Sequence, residues 1–491
     1  MIESLGGDGP AMATENLGAE SRFDTPLGQL ARSRPVTCPP QLPVREAVQR
    51  MHVAKVGSIV VVDDHDRPLG IFTLHDLRAL IAGRGDLDAA IAHAMTPDPA
   101  CLGSADLAFE AVLLMARRHI RHVVVTDGGR VAGVVSERDL FALQRINVVH
   151  LMRAIADARS VPDLIQARSA IHGLIDAMLA HGAGVEQMTR IITLLNDRTV
   201  IRVIELCLEA EGDPGVAFTW VAFGSEGRSE QTLVTDQDNG ILFDPGDDDV
   251  VAVRQRLLPL ARRINEALHD CGFPLCKGNI MASNPKLCLS LAEWENTFRG
   301  IIASSTPENL LRSSIYFDFR PIWGDVAVAE DLHQRVLQAA SGSSLFLHMM
   351  ARNALINRPP LGMVRDFVTE RHEGERVETL DLKMGGLTPF VDGARLLSLE
   401  GRLPPTNTLE RLRASAAAGM ATAAEAQAWG RSFAYIQMLR MRLHQLQARD
   451  GLPLSNRLDP ATLNPMDRHI LREAFRQARA LQRKLELRYH V

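Results

Sequence analysis

The sequence predicts a multidomain chain that is α/β in its front and middle parts and α-helical towards its end. Three observations predict this. A helix–strand–turn–strand–helix pattern occurs twice between residues 28 and 147. Two apolar strands flank a polar loop in 221-VAFGSEGRSEQTLVTDQDNGILF-243, and beyond 341 apolar residues recur at intervals of three and four between Pro- and Gly-rich breaks. For 491 residues the length prior is about three domains.

The composition is that of a globular protein, with 46% hydrophobic and 23% charged residues, enough to bury cores without staples. A net charge of −5 does not favour a nucleic-acid partner, for which a basic excess on the scale of a domain is expected. No run reaches the ~18 apolar residues of a membrane span. Residues 1–25 carry acids and glycines where a signal peptide needs positive charge and then an apolar stretch, so they are expected to form a disordered tail. The six cysteines are scattered, without CxxC pairs. That spacing favours reduced thiols in a cytoplasmic protein over a zinc site.

The repeat spans 26–147, with copies at about 26–85 and 92–147. EAVQRM at 46–51 is echoed by EAVLLM at 110–115, GSIVVVDD at 57–64 by RHVVVTDG at 121–128, and GIFTLHDL at 70–77 by GVVSERDL at 133–140. Each copy makes half a core that needs the other to cover it. Thr73 and Ser136 stand where helices begin, with Asp76 and Asp139 three residues on. A cap and a first-turn acid account for that spacing. Arg121-His122 replaces the small Gly57-Ser58 pair.

This pattern resembles a tandem CBS-domain pair. The resemblance implies a cleft for an adenine nucleotide, AMP or ATP, with Thr73 and Ser136 towards phosphate and Asp76 and Asp139 towards ribose hydroxyls. It also implies a homodimer assembled through the CBS domains. Residues 148–213 have helical spacing throughout and read as a connector.

Residues 214–340 are mixed α/β and hold the central motif. Gly224-Ser225 ends one apolar run, and small residues there let backbone N–H groups and a hydroxyl approach a phosphate. Asp236 and Asp238 open the next run, and strand alternation points both to one face, a means of holding a divalent metal. Asp318, in SIYFDFRPI, is the expected third acid, on a later strand with apolar neighbours. Lys277 and Asn284 in KGNIMASN are further candidates to face the cleft, although turn formation also explains that loop.

Gly-Ser, ten residues, then Asp-x-Asp resembles the signature of the DNA polymerase beta-like nucleotidyltransferase superfamily. That likeness implies that Gly224 and Ser225 meet a triphosphate and that Asp236, Asp238 and Asp318 hold two Mg²⁺ ions. The longer string GSEGRSEQ…TDQDNG, with PLCKGNIMASNPK, SSIYFDFRPIWGD and LDLKMGGLTPFVDGARLLSL at 380–399, is similar to a bacterial nucleotidyltransferase family. In that family paired CBS domains precede the transferase core, and a helical substrate-binding domain, here 341–491, follows it. The core also resembles the protein uridylyltransferase of nitrogen signalling. By that likeness Arg228 and Glu230 belong to the active-site loop, Arg228 holding phosphate and Glu230 positioning Arg228 or the nucleophile. Lys383 is a further candidate for the triphosphate.

The resemblance implies a Mg²⁺-dependent enzyme that moves AMP or UMP from a nucleoside triphosphate to a protein or small-molecule acceptor, regulated through the CBS pair. The alternative is an adenylate-sensing scaffold with a weak or inactive transferase domain. A nucleic-acid end-modifying transferase ranks last, because no aromatic and basic stretch is present.

Overall fold

A computed structural model describes residues 25–491, except 32–34, 84, 119, 138, 141–147, 181, 233–234, 363–365 and 371–377. The tail expected at 1–25 thus lies almost wholly outside the described residues. Contacts divide the chain into one unit of 1–149 with 177–183 and a second of 150–176 with 184–491.

In the first unit, α1 (Leu27–Leu30) leads into β1 (Thr37–Cys38), α2 (Val44–Ala54), β2 (Ser58–Val62), β3 (Pro68–Thr73), α3 (Leu74–Ala82) and β4 (Thr96–Pro97). The second copy follows as β5 (Cys101–Gly103), α4 (Ala108–Arg118), β6 (His122–Asp127) and β7 (Arg130–Ser136). The sheets run β1-β2-β3-β4 and β5-β6-β7, and Ser58↔Thr73 in one register matches His122↔Ser136 in the other. Alternation on β2 explains why two copies are needed. Ile59 and Val61 pack on Val44, Ala47 and Met51 of their own copy, whereas Val60 and Val62 pack on Val124 of the other.

Helices α5 (Val148–Ala156), α6 (Val161–Ala180) and α7 (Val185–Glu211) precede, along the chain, the four-stranded sheet of the second unit. That sheet runs β10-β9-β8-β11, from β8 (Phe218–Ala222), β9 (Asn239–Phe243), β10 (Cys288–Ser290) and β11 (Arg320–Trp323). β9 and β10 are parallel, while β8 is antiparallel to both β9 and β11. A one-turn helix, α8 (Gly224–Gly227), follows β8, and α9 (Val250–Asp270), capped by Asp249, follows β9. After β10 come α10 (Leu291–Ala303), with a Ser290–Glu293 capping box, and α11 (Pro307–Tyr316).

Helix α11 departs from the sequence reading, which placed Asp318 on a strand. Thr306 caps Pro307, and Leu310, Ser313 and Tyr316 bury one helical face, so Asp318 falls in the turn before β11. The chain then continues through α12 (Val326–Ser341), α13 (Ser344–Ala354), β12 (Leu380–Asp381), a π-helical turn (Leu382–Leu387) and α14 (Thr388–Gly401). It ends through α15 (Thr408–Ala417), α16 (Ala423–Arg449), β13 (Arg457–Leu458) and α17 (Pro465–Tyr489). Strand β12 pairs with β13 inside a stretch read as helical. Val221, Phe223 and Leu242 of the sheet share one apolar cluster with Phe346, Phe390, Phe433 and Phe475 of the helices, so sheet and helical segment are packed as one body. No helix among the described residues is long and apolar enough to cross a membrane.

Candidate active site

The aspartate pair is set by what lies between its members. Gln237 is 2% exposed, and its side-chain amide donates 2.9 Å hydrogen bonds to the carbonyls of Asn265 and Phe273. Its backbone N–H donates to Pro274 O at 2.9 Å. With Gln237 fixed inward, extended backbone turns Asp236 and Asp238 to the opposite side. Asp236 is exposed and Asp238 half-buried. Burial pushes the Asp238 carboxyl up to about 6, with Asp236 adding to the shift while a hydrogen bond from Cys276 and the charges of Lys383 and Arg228 oppose it.

The Gly224–Gly227 turn lies against this pair. Phe223 N donates to Asp238 O at 2.8 Å, which extends the β8–β9 ladder by one rung. Gly224 has φ of +57°, and a Cβ there would stand 3.0 Å from Asp238 Oδ2. Both facts call for glycine. Gly227 is tighter still, because a Cβ would come within 1.8 Å of the Asp318 carbonyl oxygen. Ser225 is half-buried beside them.

Asp318 corrects the expectation of a third metal ligand. It is fully buried, and guanidinium groups hold both its oxygens. Arg395 donates through Nε to Oδ1 at 3.0 Å and through Nη2 to Oδ2 at 2.6 Å. Arg411 Nη1 reaches Oδ1 at 2.6 Å and Arg228 Nη1 reaches Oδ2 at 2.7 Å. Burial alone would raise the pKa of this carboxyl, but the charges of Arg395, Arg411 and Arg228 outweigh it and hold the group well below the usual carboxylate range. With its lone pairs committed, Asp318 has nothing left for a metal. Among the described residues no group of three or more His, Cys, Asp or Glu side chains is placed to hold one. Asp236 and Asp238 still fit a single Mg²⁺, a hard ion that takes one or two carboxylates and completes its shell with water and substrate phosphate. The two-ion arrangement is left without its third acid.

Arg228 and Glu230 are both built into the loop. Arg228 Nε donates to Glu230 Oε2 at 2.8 Å, and Glu230 Oε1 accepts from the backbone N of Thr408 at 2.6 Å, at the start of α15. Glu230 is 5% exposed, so it orients Arg228 and caps a helix, with no free face for a nucleophile. Lys383 sits in the π-helical turn, its backbone N–H held by Asp381 at 2.8 Å. The residue is exposed to solvent, and partial desolvation of its ammonium pushes its pKa down, with Arg440 and Arg228 adding to the shift and Asp238 and Asp236 opposing it. Asn284 braces its own loop through Asn279 O at 2.9 Å, and Lys277 is exposed.

Three residues of this region escaped the sequence reading. Cys276 donates to Asp238, and only its place in PLCKGN hinted at the site. Glu226 lies buried under the turn, its carboxyl pushed up to about 8 by burial, with Asp197 and Asp238 adding to the rise and Arg320 opposing it. Arg440 arrives from α16, where nothing in YIQMLRMRLHQLQ distinguishes it from its neighbours.

In the repeat, both copies form the cap. Thr73 N and Oγ1 each donate to Asp76 Oδ2 at 2.8 Å, and Thr96 Oγ1 donates to Asp76 Oδ1 at 3.3 Å. Ser136 donates to Asp139 Oδ2 through N at 2.8 Å and Oγ at 2.5 Å. His122 lies within electrostatic reach of both aspartates, and burial lowers its pKa.

Paired repeats in one unit, and in the other an Asp-x-Asp pair beside a glycine turn on a mixed sheet walled by helices, define a nucleotidyltransferase-type architecture with a tandem CBS pair. Comparison with known proteins agrees. Residues 169–308 match the family described as "Putative nucleotidyltransferase DUF294", 344–489 match "Putative nucleotidyltransferase substrate binding domain", and 27–83 and 90–145 match "CBS domain". The chain belongs to this nucleotidyltransferase family, with a CBS pair in front.

An uncharacterized protein of Methanopyrus kandleri is 31% identical over 121 residues, which cover 24% of this chain and 62% of that protein. The arabinose 5-phosphate isomerase of Salmonella typhi is 36% identical over 98 residues, 20% of this chain and 30% of the isomerase. The chain thus spans less than two thirds of either relative. Among solved structures, a CBS domain protein of Pyrobaculum aerophilum complexed with AMP is 30% identical, with a TM-score of 0.23, over 23% of this chain and 88% of that one. A CBS-domain protein of Agrobacterium tumefaciens is 32% identical, with a TM-score of 0.23, over 25% and 96%.

Proposed function

We propose that the chain transfers a nucleoside monophosphate, AMP or UMP, from a nucleoside triphosphate to a protein or small-molecule acceptor. The observation that carries this reading is the Asp236–Asp238 pair, turned to one side by buried Gln237 and backed by Gly224. Asp236 and Asp238 would hold Mg²⁺, which neutralises phosphate charge when bound. The N–H groups and hydroxyl of Gly224-Ser225 and the cations of Arg228 and Lys383 would offer hydrogen bonds and charge to the triphosphate. The CBS pair would bind AMP or ATP through Thr73, Asp76, Ser136 and Asp139 and support a homodimer. Incubation with labelled nucleoside triphosphates, Mg²⁺ and cell extract is expected to label an acceptor. The Asp236→Asn, Asp238→Asn double variant is expected to abolish that label, and equal labelling by both proteins would reject the reading.

One observation favours the second reading, an adenylate-sensing scaffold of weak or no activity. Asp318 is locked among arginines, so the acid set is smaller than a two-ion transferase uses. Mg²⁺-dependent binding of nucleoside triphosphate without turnover against any acceptor would select it.

A further inference from the structure

Four arginines packed around the motif each hold a carboxylate: Arg228 and Arg395 with Arg411 on Asp318, and Arg320 on Asp197. Arg440, half-buried on α16, does not. Its Nε donates to Asn456 Oδ1 at 2.6 Å, and among the described residues no carboxylate lies within ion-pair distance of its guanidinium. Asn456 is a fixed seat. Its backbone carbonyl accepts from Leu382 N at 2.9 Å, and its Oδ1 also meets His444 Nε2 at 3.2 Å. The anchor uses the Nε edge and, among the described residues, leaves the two Nη groups without a hydrogen-bond partner.

Lys383, next to Leu382 in the π-helical turn, is likewise without an ion pair among the described residues, and its ammonium interacts with Arg440, Arg228 and the aspartate pair together. Burial pushes Arg440 down to about 10, with Asp381 opposing and Arg228 adding to the shift. Lys383 and Arg440 thus share one electrostatic neighbourhood with Arg228, and among the described residues neither Lys383 nor Arg440 is ion-paired to a carboxylate. An incoming polyanion would relieve them, and a fork of two Nη groups suits phosphate oxygens.

We propose that Arg440, seated by Asn456 and joined by Lys383, binds the β- and γ-phosphates of the donor nucleotide and receives the departing pyrophosphate. The inference rests on the nucleotidyltransferase reading and adds to it that the helical segment grips the donor. In the step, the acceptor oxygen bonds to the α-phosphorus as the bond to the bridging oxygen breaks. The electron pair stays on pyrophosphate, whose charge Arg440 and Lys383 balance, and the acceptor proton passes to water.

The test is equilibrium titration of full-length protein with inorganic pyrophosphate and tripolyphosphate in the presence of Mg²⁺. Arg440→Ala is expected to weaken both at least ten-fold, about 1.4 kcal/mol. Arg440→Lys should recover part of the loss, Asn456→Ala should show a smaller loss, and Arg442→Ala, on the same helix, should bind as wild type does. Should Arg440→Ala not fold, Arg440→Lys and Asn456→Ala make the same comparison. Wild-type affinity in these variants would overturn the inference, as would a wild-type protein that binds neither anion. The Asp236/Asp238 labelling assay judges the transferase reading separately, because acceptor labelling that survives Arg440→Ala removes only this inference.

Discussion

Arg395 grips Asp318 through both carboxylate oxygens, at 3.0 and 2.6 Å, and its third nitrogen, Nη1, holds Asp392 at 2.6 Å. Asp318 closes the turn before β11, and Arg395 lies in the middle of α14. The contact therefore ties the sheet that carries the aspartate pair to the helices that wall it. Arg228 joins the same carboxylate from the loop after α8 and Arg411 from α15. One buried anion thus fixes three segments around the site.

Removing that anion is expected to be costly. Asp318→Asn would leave three guanidinium groups short of a buried countercharge, and breaking a buried pair costs about 3–5 kcal/mol. The expected result is a markedly lower urea midpoint in the absence of any metal. An unchanged midpoint would mean that the cluster does not hold the segments together. A depressed carboxyl stabilises the fold above its unfolded pKa of about 3.9 and loses that contribution as pH falls towards the lower folded value. The wild-type advantage over Asp318→Asn should therefore be complete at neutral pH and shrink below pH 4.

Glu226 titrates in the opposite sense. Its folded pKa is raised to about 8, so the neutral form is favoured in the folded state. Its stabilising contribution is complete below the unfolded value of about 4.3 and is lost as pH rises to about 8, at about 1.4 kcal/mol per unit. Glu226→Gln keeps the size and removes the charge. The variant should gain on wild type steadily between pH 5 and pH 8 in parallel melting curves, and a constant difference across that range would refute the assignment.

What the sequence revealed and concealed around this site follows from distance along the chain. Asp236 and Asp238 stood out because alternation along the extended backbone just ahead of β9 turns both to one side. Thr73 with Asp76 and Ser136 with Asp139 were legible because a capping box closes within four residues. Asp318 was misplaced because SIYFDFRPI reads equally well as strand or as a helix end. The partners that decide its role lie 77, 90 and 93 residues away. Arg440 left no trace for the same reason, since its seat on Asn456, with no carboxylate partner among the described residues, exists only once α16 is packed. Strands β8 and β9 and the helices beyond 341 followed from periodicity, whereas β10, α11 and the β12–β13 pair did not.

Gly224 carries two constraints that one substitution tests together. Gly224→Ala puts a side chain at φ +57°, which costs about 1–2 kcal/mol, and sets a Cβ 3.0 Å from Asp238 Oδ2. The protein should still fold, with a modestly lower melting temperature. Mg²⁺-dependent labelling should fall far more than stability does, because the displaced Asp238 carboxylate no longer stands beside Asp236. Retention of full labelling would separate the glycine turn from the site.

The two CBS copies should not contribute equally to nucleotide binding. Asp76 has both oxygens engaged, Oδ2 by Thr73 and Oδ1 by Thr96. Asp139 uses only Oδ2, on Ser136, and its Oδ1 accepts no hydrogen bond from a described residue. A ribose hydroxyl needs an acceptor lone pair, and displacing an existing bond to obtain one offsets the gain. Asp139→Ala should therefore weaken AMP binding to the full chain at least ten-fold. Asp76→Ala should act first on stability, by the ~1 kcal/mol of a lost cap, and weaken AMP binding less. Calorimetric titration of AMP into both variants separates these effects, and a larger loss of affinity in Asp76→Ala would place the nucleotide in the first copy instead.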